Sequence, residues 1–196
     1  MIISIDDGPD VIIPDKIARP LLVSSNLMVI TAIIALTRGV WPLALAAMLV
    51  WITSLMHWHA PRFSSWRRYA DYAAVACMIA VGSWVAIVQT RSSVWTITYF
   101  AGLSLIGVLF LCNETIYYYQ LQRTPLGGQM RYQVSEAPVV TCLTPTPPGS
   151  AARRWAYCRA AWVHLLCVHV LASALANVML LYGLCPERPL TFEGCE

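Results

Sequence analysis

Charge is scarce in this chain. Asp, Glu, Lys and Arg make up 12% of its residues, against roughly 25% in soluble domains. With 58% hydrophobic residues and a mean hydropathy of +0.61, that deficit excludes an ordinary soluble domain. No basic run interleaved with aromatics is present, so nucleic acid is not an expected partner. No C-x-x-C pair occurs among the seven cysteines, which argues against a thiolate zinc site. The first fifteen residues hold four aspartates and no Lys or Arg. They lack the positive n-region of a secretory signal and the Arg-rich character of a mitochondrial presequence. An uncleaved insertion signal in the first apolar run, an organelle-encoded chain and a processed chain all stay open.

Long apolar runs are what the sequence does have. Five stand out, at about 21–37, 40–56, 70–89, 94–112 and 160–184. A spanning helix needs roughly 17–25 apolar residues, and lipid forces backbone hydrogen bonds to close within a segment. The expected fold is therefore all-α, a polytopic bundle of five transmembrane helices. A polar N-terminal segment (1–19) precedes the membrane domain (20–184), and a short tail (185–196) follows it. Arg38-Gly39 and the stretch 90–93 read as tight hairpins. Residues 120–153 carry Pro125, Pro138, Pro145, Pro147 and Pro148 and read as the one long loop, since proline blocks helix.

Five crossings put Arg38, Arg91 and Arg188 on one side and the other ten of the 13 basic residues on the opposite side. The bias predicts the N-terminus on the cytoplasmic, matrix or stromal side and the C-terminus across the membrane. On the latter side Cys185 and Cys195 flank a short segment and form a candidate disulfide. The lipid bilayer and other membrane-protein subunits are the expected partners.

The same topology drops His57, Asp71, Glu114, His164 and His169 near one membrane face. His57 and His59 are two residues apart, about 200° around an α-helix, so both cannot address one centre. His164 and His169 are five apart, about 140° around, and read as a poor metal pair. His169, Ser173 and Asn177 form a stripe at i, i+4 and i+8 that should face the bundle interior, as polar and small residues do in lipid. Thr53 and His57 share a face of the second helix by the same spacing.

Thr53-x-x-x-His57, a short loop and Asp71 opening the third helix resemble the first part of the CREST superfamily signature. The match covers about twenty residues around Thr53–Asp71. That superfamily includes alkaline ceramidases and the progestin/adiponectin receptors, seven-helix membrane proteins with a zinc held by three histidines. The resemblance implies a hydrolase of a lipid amide or ester. It makes His57 a zinc ligand, with His169 and His164 as the further candidates, and Asp71 the acid that positions water. Thr53 stands where the family has serine, unless Ser54 takes that role. The chain departs from the family in having five helices and in its His-x-x-x-x-His spacing, where the family has His-x-x-x-His.

Two functions follow. The first expectation is a non-catalytic accessory or interaction subunit of a larger membrane complex, with no cofactor. The alternative is a CREST-like zinc hydrolase centred on His57, Asp71 and His169.

Overall fold

The computed structural model describes residues 11–121 and 151–184. Its elements are α1 (Asp15–Ser24), α2 (Leu27–Thr37), α3 (Trp41–His59), α4 (Trp66–Val88), α5 (Ser93–Gln120), α6 (Ala151–His164) and α7 (Ala172–Val178). Two π-helical segments, Leu165–Leu171 and Met179–Gly183, carry the chain on from α6 and from α7. Five stretches are long and apolar enough to cross a membrane: Asp15–Thr37, Trp41–His59, Trp66–Val88, Ser93–Tyr119 and Ala151–Gly183. Among the described residues there is no strand, only the isolated bridges Val11–Arg62 and Thr90–Leu184. The chain is an all-α polytopic membrane protein.

The observed helices outrun the apolar limits read from sequence. The first begins at Asp15 rather than Leu21, and the last at Ala151 rather than Ala160. Hydropathy marks where the lipid core ends, whereas backbone hydrogen bonding continues into the polar flank. Pro20 sits inside α1. Ala151, Ala152 and Arg153, assigned to the long loop on sequence, open α6. The proline-rich part of that loop and both Cys185 and Cys195 lie outside the described residues.

The first span is broken where its polar side chains compete with its backbone. The Ser24 and Ser25 hydroxyls both donate to Leu21 O, at 3.1 and 2.9 Å, and Asn26 Nδ2 donates to Val23 O at 2.8 Å. Such local bonds offer the chain an alternative to the α ladder, and Ser25–Asn26 separates α1 from α2. The turn into α3 is fixed by Gly39 at φ 73°, where the Val40 and Gly39 amides donate back to Ala35 O and Leu36 O. This is the left-handed helix end that glycine tolerates without a Cβ penalty.

Small residues set the packing. Ala35, Ala44, Ala47, Ala74, Ala86, Ala156 and Ala160 are buried, which lets backbones approach where lipid offers no hydrophobic drive between helices. Leu45, Ile87, Ile97, Leu105, Leu111 and Leu166 point outward, an apolar surface that suits lipid and not water. At Gly82 an added Cβ would stand 2.5 Å from the Tyr99 hydroxyl, and Tyr99 is itself buried. Gly82→Ala should therefore cost about 1–3 kcal/mol, the usual range for overpacking. A lowered unfolding midpoint in detergent checks this, and an unchanged midpoint contradicts it.

The two ends of the bundle close differently. At one end Ile12 N donates to Pro61 O at 3.0 Å, and the Tyr117 hydroxyl donates to Ile12 O. Ile12, Ile13, Leu21, Trp58, Phe63, Tyr117, Tyr118 and Tyr157 form one buried cluster there. At the other end Arg91 N donates to Gly183 O at 3.0 Å, beside the Thr90–Leu184 bridge.

Candidate functional site

The aromatic end of the bundle holds a small cavity of about 30 Å³, lined by His57, Asp71, Glu114 and His164 together with Trp58, Phe110, Tyr117, Tyr118 and the Ile12–Ile13 segment. That volume is room for one or two waters. Four spans contribute: His57 from α3, Asp71 from α4, Glu114 from α5 and His164 from α6. His57, Asp71 and Glu114 lie toward the ends of their helices, and His164 stands where α6 passes into the π-helical segment.

Asp71 is anchored by two neighbouring hydroxyls of α3. Ser54 Oγ donates to its Oδ1 at 2.6 Å and Thr53 Oγ1 reaches the same oxygen at 3.1 Å. Thr53 divides its single hydrogen, since Leu49 O and Val50 O lie at 3.0 and 3.2 Å. Ser54 is therefore the stronger partner of the carboxylate. Both bonds fall on Oδ1, and Oδ2 takes part in neither. Asp71 is 7% exposed, so the pair of hydroxyls replaces part of the water it gives up.

His57 lies one helical turn beyond Thr53 and is 4% exposed. Its Nδ1 is buried without a hydrogen-bond partner, which is costly for a ring nitrogen and rare in folded chains. His59, two residues on, is exposed on the other side of α3, as the helical angle requires.

His164 and His169 differ from the sequence expectation. An α-helix sets them about 140° apart, yet their rings stand 5.4 Å apart centre to centre at 76°. The cause is local. Leu165–Leu171 is π-helical, and its i→i+5 register lengthens the turn to roughly four and a half residues. Five residues then return to nearly the same face. The reading of this pair as splayed is thus corrected by the helix type. Two imidazoles sharing a tetrahedral zinc, each nitrogen about 2.0–2.1 Å away, have ring centres roughly 5 Å apart.

Trp58 ties the three histidines together. Its indole lies 4.6 Å from the His57 ring, 4.9 Å from His164 and 6.4 Å from His169. Phe110 also packs against the His164 ring, at 5.7 Å. Trp58 Nε1 is also buried without a partner. Among the described residues no group of three or more His, Cys, Asp or Glu side chains stands gathered about one point as metal ligands. The Trp58 ring, in contact with each imidazole, occupies space beside all three.

The polar stripe of the last span finds its partners on the first. Ser24 Oγ meets His169 Nδ1 at 2.5 Å, and Ser173 Oγ lies 3.2 Å from both Thr31 Oγ1 and Leu27 O. His169 and Ser173 are buried, whereas the Asn177 Oδ1 atom is buried without a partner. Sequence reading missed Ser24 as a site residue. Its signal was present in the run Ser24-Ser25-Asn26, three polar residues inside an apolar span, since such residues in lipid turn toward other helices.

Close by, Arg68 is 2% exposed and stacks among Phe63, Tyr72 and Tyr118, with ring centres 5.2, 5.3 and 5.8 Å from its guanidinium carbon. It also donates to the Tyr118 hydroxyl and to that of Tyr72. This cation–π cage braces the start of α4, one turn before Asp71.

Comparison with known proteins finds no family model, curated protein or solved structure that matches the chain, so the CREST resemblance rests on the residues themselves.

Proposed function

We propose that this protein is a metal-dependent hydrolase embedded in the membrane, acting on a lipid amide or ester. The observation that carries the reading is the meeting of three histidines from two spans beside an aspartate that two hydroxyls hold in place. His57, His164 and His169 are the residues that would hold the metal. The donor chemistry fits: imidazole suits zinc, one pair already has ligand-like ring separation, and the buried His57 Nδ1 has no other partner. Completing the set takes movement of the imidazoles and of the Trp58 indole.

Zinc, when bound by three protein groups, supplies Lewis acidity and lowers the pKa of a water in its fourth position to about 7. Asp71 is the group that takes the proton from the attacking water. Ser54 and Thr53 fix its Oδ1, which orients the carboxylate with one oxygen committed and the other outside those bonds. The tyrosines and Ile12–Ile13 keep bulk water out, which strengthens each polar interaction inside. His57 and Asp71 stand near helix ends, which supports a headgroup-proximal amide or ester as the bond cleaved. The basic bias of that end supports its placement on the cytoplasmic, matrix or stromal side.

Metal content tests this. Purified protein should carry about one zinc per chain, measured by plasma mass spectrometry, and His57→Ala should lose it, because His57 would be one of its three protein ligands. Absence of zinc from the wild type after zinc supplementation overturns the reading.

A second reading, an accessory subunit of a larger membrane complex, has its own support. Only 6% of the fourth span's apolar stretch is buried within the chain, against 50% of the second's. Ile97, Leu105, Val108 and Leu111 face outward along it. Co-migration with a large assembly in mild detergent, together with zinc-free protein, would favour that reading over the hydrolase.

A further inference from the structure

We infer that Ser24 is a positioning residue for His169, holding it by Nδ1 so that Nε2 is the nitrogen offered to the site. The inference rests on the hydrolase reading for its consequence, but its chemistry is independent of any metal. A neutral imidazole has one N–H and one lone pair, and the partner of the first nitrogen decides which atom carries which. A serine hydroxyl has one hydrogen. Ser24 Oγ donates to Leu21 O at 3.1 Å within its own helix, and it contacts His169 Nδ1 at 2.5 Å. With its hydrogen on Leu21 O, Ser24 accepts from His169 Nδ1–H. The relay runs from His169 through Ser24 to the Leu21 carbonyl and leaves the lone pair on Nε2.

The competing direction is specific. Leu21 O also receives the Ser25 amide at 3.0 Å and the Ser25 hydroxyl at 2.9 Å. If those two donors displace Ser24, its hydrogen turns to His169 Nδ1, and the ring proton moves to Nε2. Ser24 Oγ keeps its place on Leu21 O at 3.1 Å beside those donors, which favours the relay. The first span is held against the last at the next turn as well, through Thr31, Leu27 O and Ser173. His169 therefore meets Ser24 on a docked pair of helices rather than by chance side-chain reach. Histidine ligands generally give their second ring N–H to such an acceptor, and removing it typically weakens metal binding 10–100-fold.

The test uses the full chain labelled with ¹⁵N-histidine in nanodiscs. Two-bond ¹H–¹⁵N spectra of the metal-free protein should show His169 protonated on Nδ1. Ser24→Ala should shift that ring toward the other tautomer or a mixture and weaken zinc binding about 10–100-fold. Ser24→Thr, which keeps the hydroxyl, should restore both. A wild-type His169 protonated on Nε2 overturns the inference, as does a Ser24→Ala protein with unchanged tautomer and zinc affinity. If the wild type binds no zinc, the hydrolase reading falls, and the metal-free spectra still decide the role of Ser24.

Discussion

Asp71→Asn should retain its zinc and lose hydrolysis of a lipid amide by roughly 10²–10⁴-fold, the usual worth of a positioned acid–base group. The substitution is nearly isosteric. Its carbonyl oxygen still accepts from Ser54 and Thr53, which now bond Asp71 Oδ1 at 2.6 and 3.1 Å. The fold around it should survive for that reason. What the amide cannot do is take a proton from water. Ser54→Ala should give a milder loss than Asp71→Asn, because Thr53 stays as a second donor to the same oxygen. Turnover of a fluorescent lipid amide, measured beside zinc content, separates the outcomes. Full turnover by Asp71→Asn with zinc intact removes Asp71 from the chemistry.

Register is the second large lever. In the π-helical stretch Leu165–Leu171, a five-residue separation is what makes two side chains share a face. The double variant Val168→His/His169→Val converts the pair to a four-residue spacing, which favours an α-helix but not this one. Its zinc affinity should fall by more than the 10–100-fold that a lost supporting hydrogen bond costs. Deleting Leu166, whose side chain is exposed, should do the opposite. It removes one residue from the widened turn, gives His-x-x-x-His on an α-helix and keeps zinc. Ser173 should stay opposite Thr31 in the deletion, since the flanking helix keeps its phase. Tight zinc in the swap and loss of zinc in the deletion would show that the bound state is α-helical there.

These two levers mark where the sequence was informative and where it was not. The five spans follow from apolar runs alone, because lipid leaves few other structures for such runs. That Asp71 and His57 reach one cavity is legible for the same reason, since helix order decides which ends meet. Ser54 stood as an alternative to Thr53, and both hydroxyls reach the carboxylate. The relation of His164 to His169 is not legible in sequence, because 3.6 residues per turn sets them apart and no residue type between them announces the wider π-helical turn. Ser24 is polar inside the first span, and that polarity is the clue to its partner on another helix. Helix ends shifted by several residues because apolar character stops at the edge of lipid and hydrogen bonding does not.

The Ile12–Ile13 segment also bears on how the protein should be handled. Both side chains are buried and line the cavity with His57 and His164, and the Ile12 backbone is pinned through Pro61 and Tyr117, so a bulky fusion pulling on that segment works directly against the cavity wall. An affinity handle belongs beyond Leu184, which pairs with Thr90 at the far end of the bundle. There it can be gripped, spun and washed without disturbing the cavity.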